Sequence, residues 1–170
     1  LPTKAVVLGA RATASSALAA LGELGIVTST VAARRFGGPG SVVAASSRLG
    51  VSIEQVLWSD RGAVLRAVSG ADLVISTLPA GVADPLAEEM TVREGQVLLD
   101  VVYSPRETAL RSAFERNGGI VAEGTDMLIY QAAAQVQLMT GRSPKTDVMR
   151  GALEAELARR ARAGGGGAAS

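Results

Sequence analysis

The sequence predicts an α/β fold in which a doubly wound, mostly parallel sheet is followed by two C-terminal helices. Short apolar runs rich in Val, Ile and Leu alternate with helical patterns as far as residue 122, and two longer helical stretches follow. The runs are too short for helices and have the continuous apolar character of strands buried on both faces. Hydrophobic residues make up 48% of the 170 residues, which is enough for one core.

The predicted elements follow one another with a helix after nearly every strand, as right-handed crossovers require. Strands are expected at Ala5–Leu8 and at residues 26–33, 73–78, 97–102 and 120–122, with a short additional strand at 55–58. Helices are expected at residues 12–24, 41–49, 61–68, 84–90 and 105–117, bounded by Pro and Gly. Two further helices are expected at residues 125–140 and 145–162, within a single domain over residues 1–163 that precedes a flexible Gly/Ala tail, 164–170.

The composition excludes several classes of function. The 17 basic and 16 acidic residues give a net charge of only +1, which is too small to indicate nucleic-acid binding. No apolar run approaches the roughly 20 residues that a membrane-spanning helix needs. The chain has neither Cys nor His, which excludes a disulfide, a thiolate zinc site, a cysteine nucleophile and an imidazole base. We therefore expect no metal site, and the cytoplasm is the expected compartment.

The turn after the first strand has the position of a phosphate-binding loop. In the Rossmann fingerprint, one Gly makes a tight turn, a second lets backbone approach a pyrophosphate, and a third small residue lets helix and strand pack closely. Gly9 and Ala14 fit the first and third places, whereas Arg11 occupies the second. Thr13 and the helix N-terminus could still bind a phosphate. Arg11 either obstructs the approach or contributes charge, and an ordinary strand-turn-helix remains the alternative.

A pair of arginines follows the second predicted strand. An NAD-specific fold places an acidic residue there to hold the ribose hydroxyls, whereas this chain has Arg34 and Arg35. A guanidinium suits the additional phosphate of NADP. The alternative is a solvated basic turn, but the position of the pair after this strand favours NADP.

Five blocks together resemble the cofactor domain of the shikimate dehydrogenase family, most closely its actinobacterial branch. They occur in the order and spacing of that domain and extend over nearly all of the chain to about residue 157. The blocks are Val6-Val7-Leu8-Gly9-Ala10, Ala33-Arg34-Arg35, residues 71–79 (ADLVISTLP), residues 99–105 (LDVVYSP) with Thr108, and residues 124–131 (GTDMLIYQ).

The resemblance implies NADP as the cofactor and assigns a role to each matching position. The diphosphate loop would comprise Gly9, Ala10, Arg11, Ala12, Thr13 and Ala14, where the family normally has Gly-Ala-Gly-Gly at the start. Arg34 and Arg35 would bind the 2′-phosphate. The segment that runs along the cofactor would include Ser76, Thr77 and Pro79, with Ser76 in place of the usual Asn, and the nicotinamide end would meet Val101 and Gly124.

The resemblance further implies the reversible reduction of 3-dehydroshikimate to shikimate by NADPH, a step of aromatic amino-acid biosynthesis. Tyr103 and Gln131 match the family's two substrate contacts from this domain. The family's catalytic Lys and Asp belong to an N-terminal substrate domain that is absent here, and Lys4 and Lys145 match neither residue. No catalytic residue is therefore assigned, and we expect the chain to pack on such a domain and to be inactive alone.

Two alternatives stay open at this point. The altered glycine loop is compatible with a nucleotide-binding or regulatory module that catalyses nothing. A related dehydrogenase acting on quinate or another cyclic acid would use the same two contacts, so this domain cannot separate these substrates. The sequence also leaves the oligomeric state open, with a homodimer among the options.

Overall fold

The computed structural model describes residues 2–102 and 107–164. The chain divides into two compact units, residues 1–123 and 124–170. The first unit contains all the strands of the described chain, and the second contains two helices. The predicted extent of the domain, 1–163, stays a prediction.

The first unit is a six-stranded sheet in which every strand pairs in parallel with its neighbours. Its order, β3-β2-β1-β4-β5-β6, confirms the predicted doubly wound architecture. The strands are β1 (Ala5–Leu8), β2 (Thr28–Ala33), β3 (Ser52–Leu57), β4 (Leu73–Ser76), β5 (Val97–Asp100) and β6 (Ile120–Glu123). The helices of this unit are α1 (Ala12–Glu23), α2 (Val42–Leu49), α3 (Arg61–Gly70), α4 (Asp84–Glu89) and α5 (Ala109–Arg116).

Several predicted boundaries were wrong by a few residues, and local hydrogen bonds explain two of them. The strand expected to begin at residue 26 begins at Thr28, because the Ile26 N–H donates to the Leu21 carbonyl in the turn that closes α1. The helix expected from residue 105 begins at Ala109, because the Thr108 hydroxyl accepts from the Arg111 N–H and caps it. The strands expected to end at residues 78 and 102 end at 76 and 100, whereas the short strand expected at 55–58 extends over 52–57.

The core lies on both faces of the sheet, as the continuous apolar strands predict. Successive residues of β1 point to opposite faces, so Val6 and Leu8 join one buried cluster while Ala5 and Val7 join the other. Phe114 of α5 is fully buried in the first cluster and Leu18 of α1 is buried in the second. This packing fixes the strand ends from which the loops of the candidate site emerge.

The amino-terminal edge of the sheet is held by charged hydrogen bonds around Asp72. The Thr3 N–H, the Lys4 N–H and the Thr3 hydroxyl all donate to Oδ2 of Asp72, at 2.9 to 3.1 Å. The Thr3 backbone bond is the main reason that the pKa of Asp72 falls to about 2. Arg93 adds bonds to the Ser69 and Ala71 carbonyls, so the entries to β1, β4 and β5 are fastened together.

The second unit consists of α6 (Gly124–Thr140) and α7 (Thr146–Gly164). The predicted break between them is present, and Gly141 adopts φ +70° there. Asp126 of α6 and Arg150 of α7 form an ion pair, and the hydrogen bond to Asp126 raises the pKa of Arg150. Of the predicted tail, Gly164 is the last residue of α7, and residues 165–170 lie outside the described residues.

Candidate functional site

The candidate site of the first unit lies where the strand order reverses, at the carboxyl ends of β1 and β4. Such a crevice is where open α/β sheets bind their ligands. Gly9 follows β1 directly and Thr77 follows β4 directly, and the Thr77 N–H donates to the Leu8 carbonyl at 2.9 Å. The parallel sheet therefore places the predicted loops after β1, β2, β4 and β5 at one edge.

Gly9 occupies a place that no other residue could take without a shift. Its φ is +112°, a conformation that residues with a Cβ rarely adopt. A Cβ built on Gly9 would also overlap the Oγ1 atom of Thr77. The Gly9 N–H donates to the Ala32 carbonyl of β2 at 2.8 Å, which fixes the turn. Gly9 thus forms a tight turn between β1 and α1, and its part in binding a phosphate stays a prediction.

The N-terminus of α1 lacks the side-chain cap that three other helices of the first unit have. Side-chain oxygens of Ser41, Asp60 and Thr108 accept from backbone N–H groups in the first turns of α2, α3 and α5. Arg11, the residue before α1, makes no such bond. The first turn of α1 therefore keeps N–H donors without a side-chain cap, as in helices that bind phosphate at this end.

The other residues of this turn fit its packing. Ala14 is fully buried in the cluster beneath α1, so it serves as the small residue that lets helix and sheet approach closely. Arg11, Ala12 and Thr13 are exposed, and Ala10 is half-buried. Arg11 has φ −102°, so the backbone at the second fingerprint position does not require glycine.

The loop after β2 carries Arg34 and Arg35 and is tied to the turn before α1. Both arginines are exposed, and within residues 2–102 and 107–164 neither takes part in an ion pair. The Val42 N–H donates to the Ala10 carbonyl at 3.3 Å, and the Ser15 hydroxyl donates to the Gly40 carbonyl at 3.3 Å. These bonds bring the predicted diphosphate loop and the loop that carries the arginine pair to the same edge of the sheet.

The ends of β4 and β5 form the remaining part of this edge. Ser76 is 2% exposed, and its carbonyl accepts a hydrogen bond from the N–H of the half-buried Val101 at 3.0 Å. Ser76, Pro79, Asp100 and Thr108 line one small pocket. The ends of β4 and β5 therefore place polar side chains next to the crevice.

Asp100 also lines this pocket, although no role was predicted for it. It is 5% exposed, and its carboxylate accepts from the Val102 N–H at 3.2 Å and from the Thr108 hydroxyl at 2.7 Å. A buried carboxylate with two bonds to its own loop holds both ends of that loop. The sequence feature that could have indicated this role is an acidic residue at the end of an apolar strand, eight positions before a threonine.

The remaining predicted residues belong to the second unit or fall outside the described residues. Gly124 is the first residue of α6 and is buried, whereas Gln131 is exposed in its second turn. Along α6, Leu128 is half-buried and Leu138 is 88% exposed. Tyr103 lies outside the described residues.

A wider groove, about 380 Å³ in volume, opens at the opposite, amino-terminal edge of the sheet. Its lining includes Lys4, Thr30, Glu54 and Arg66, and none of the predicted site residues. In the part of the chain that the structure describes, no group of acidic residues is arranged to hold a metal ion. None of the helices described there has the length and apolarity needed to cross a membrane.

Comparison with known proteins of similar sequence and fold shows to which family this domain belongs. The family model for the shikimate 5′-dehydrogenase C-terminal domain matches residues 124–154. The NADP-dependent shikimate dehydrogenase of Moorella thermoacetica is 33% identical over 151 residues, which is 86% of this chain. The Mycobacterium tuberculosis shikimate dehydrogenase superposes with a TM-score of 0.74 at 36% identity over 86% of the chain. The chain belongs to the shikimate dehydrogenase family, as its C-terminal domain.

The chain spans about half the length of these shikimate dehydrogenases, 51% of the Moorella enzyme and 55% of the mycobacterial one. A third relative is the Thermus thermophilus shikimate 5-dehydrogenase, whose structure contains NADP(H) and shikimate. It superposes with a TM-score of 0.66 at 28% identity, over 92% of this chain and 54% of the Thermus chain. The family and the fold that the sequence predicted are therefore confirmed.

Proposed function

We propose that this chain is the NADP-binding half of a shikimate dehydrogenase that interconverts 3-dehydroshikimate and shikimate. The observation that carries the proposal is the crevice between β1 and β4, because it combines a glycine turn, a helix N-terminus without a side-chain cap and two exposed arginines at one edge. The Thermus relative binds NADP(H) and shikimate, which supports the assignment.

The residues of this edge fit the chemical groups of NADP. The first-turn N–H groups of α1 would donate to the diphosphate, and Arg34 with Arg35 would bind the 2′-phosphate through charge-assisted hydrogen bonds. Further contacts are proposed at Ser76, Pro79, Val101 and Gly124. NADPH, when bound, supplies the hydride that reduces the substrate ketone.

This domain would orient the reactants without supplying the proton. We assign Tyr103 and Gln131 to substrate hydroxyl or carboxylate groups, by resemblance to the family. The acid-base pair would come from an N-terminal substrate domain, since the matching Lys and Asp have no counterpart here. Exposed apolar residues of the second unit, Tyr130, Leu138, Met139 and Val148, would suit packing on another domain.

We expect the isolated chain to bind NADP⁺ and to oxidise no shikimate, because Lys4 and Lys145 do not match the family's catalytic Lys and the chain has no His to accept the hydroxyl proton. A longer form that includes the substrate domain should be active. In that form, Gln131→Ala should raise the KM for shikimate about tenfold and change kcat less, because an amide contact to a ring hydroxyl acts alike in ground and transition states.

Steady-state kinetics with shikimate and with quinate would check this expectation and the choice of substrate together. Gln137→Ala is the matched control, because Gln137 is an exposed amide on a different face of α6. Shikimate oxidation by the pure chain would contradict the absence of a catalytic pair. Failure to bind NADP⁺ at all would contradict the proposed function.

A non-catalytic nucleotide-binding module is the second candidate, and Arg11 is the observation that favours it. We expect Arg11→Gly to tighten NADP⁺ binding about threefold and Arg11→Ala to give an intermediate value, because the side chain stands where the family has glycine. Calorimetric titration of the three chains would check the order. Weaker binding by both variants would instead make the guanidinium a phosphate ligand.

A further inference from the structure

The hydroxyl of Thr77 joins the two strands that border the crevice. Thr77 is half-buried and follows β4 directly, while Leu8 ends the neighbouring β1. The Leu8 carbonyl accepts the Thr77 N–H at 2.9 Å and the Thr77 hydroxyl at 2.8 Å. Both lone pairs of that carbonyl are thereby used.

The same hydroxyl packs against the glycine turn. Thr77 Oγ1 occupies the space in which a Cβ of Gly9 would lie, so the absence of a side chain at Gly9 and the presence of oxygen at Thr77 are complementary. A hydroxyl has one proton, and Thr77 donates it to Leu8. The side chain therefore has no proton left to donate to a phosphate oxygen.

We propose that Thr77 is a positioning residue for diphosphate binding. Its hydroxyl holds the Leu8 carbonyl and the Gly9 turn so that the chain enters α1 with the first-turn N–H groups directed toward the crevice. This inference rests on the proposed function, and it assigns to Thr77 an action through the loop in place of a donated bond to the cofactor.

The test compares two ligands that share the 2′-phosphate but differ in the diphosphate. NADP⁺ has both groups, whereas adenosine 2′-monophosphate has only the first. We expect Thr77→Val to weaken NADP⁺ binding about tenfold and to change the affinity for adenosine 2′-monophosphate less than about twofold. Thr77→Ser, which keeps the hydroxyl, should bind NADP⁺ within about threefold of the parent chain.

Thr30→Val is the matched control, because the Thr30 hydroxyl also makes a hydrogen bond within the sheet, to Glu54 at 3.3 Å, and lies away from the crevice. It should leave both affinities unchanged. Titrations by calorimetry for NADP⁺ and by nuclear magnetic resonance for the weaker ligand, with Tm measured for each variant, complete the experiment.

Three results would overturn the inference. Unchanged NADP⁺ binding by Thr77→Val would remove the positioning role and leave the proposed function intact. Equal losses for both ligands, with a lowered Tm, would make the hydroxyl a purely structural group. A parent chain that binds neither ligand would overturn the inference and the proposed function together.

Discussion

Replacing Gly9 with alanine is expected to weaken NADP⁺ binding by on the order of 100-fold. The backbone at Gly9 has φ +112°, and holding an L-residue in such a region costs of order 1–3 kcal/mol. The new Cβ would also overlap Thr77 Oγ1, so the turn between β1 and α1 has to move. Because the diphosphate would lie against this turn, the displacement acts directly on binding.

The control variant Gly25→Ala separates the effect of backbone strain from the effect of the overlap with Thr77. Gly25 also has a positive φ, +83°, but a Cβ there would meet no atom within 4 Å. This control should lower stability through the backbone alone and leave NADP⁺ affinity unchanged. Circular dichroism would establish that both variants are folded, and calorimetry would give the affinities. If Gly9→Ala bound NADP⁺ as tightly as the parent chain, the crevice between β1 and β4 would not be the cofactor site.

The Arg34→Ala/Arg35→Ala double variant is expected to lose about 100-fold in NADP⁺ affinity and less than about threefold in NAD⁺ affinity. Hydrogen bonds to charged groups contribute about 1.5–3 kcal/mol each, and only NADP⁺ has the 2′-phosphate that these arginines would bind. Both guanidinium groups are exposed and make no ion pair in the described ranges, so their removal disturbs no other contact of that kind.

Titration of both cofactors against the parent chain, the single variants and the double variant would measure this preference. Arg66→Ala is the matched control, because Arg66 is an exposed arginine at the opposite edge of the sheet. It removes a positive charge but should change neither affinity beyond a small long-range effect that salt screens. Equal losses of NADP⁺ and NAD⁺ in the double variant would contradict a 2′-phosphate role.

Most of the fold could be predicted because its strands are buried on both faces. Runs such as Val6 to Leu8 must be apolar throughout, and that continuity is visible in the sequence. The length of β3 was underestimated because this strand is not buried on both faces. It is an edge strand in which Ser52, Glu54 and Gln55 are exposed, so polar residues interrupt the apolar run. Edge strands tolerate charge, which weakens the sequence signal.

The candidate site was predicted in part, and the difference lies in what sequence spacing can encode. The position of Gly9 follows from the local pattern of strand, turn and helix. The reason that it must be glycine includes Thr77, which is 68 residues away along the chain and adjacent only in the sheet. Asp100 was not predicted for a similar reason. Its carboxylate can accept from Val102 and Thr108 only because β5 ends at residue 100, whereas the predicted strand continued to residue 102.

In the first unit, the hydrogen bonds around Asp72 and the proposed cofactor site lie at opposite edges of the sheet. Stability at the amino-terminal edge depends on bonds that converge on Asp72 and Arg93, whereas the proposed cofactor contacts lie at the carboxyl-terminal edge. Sites that are far apart and share no partners have nearly additive effects on free energy. Substitutions of Arg34 and Arg35 that change cofactor choice can therefore be combined with substitutions that strengthen the opposite edge, so specificity and stability can be altered independently in this domain.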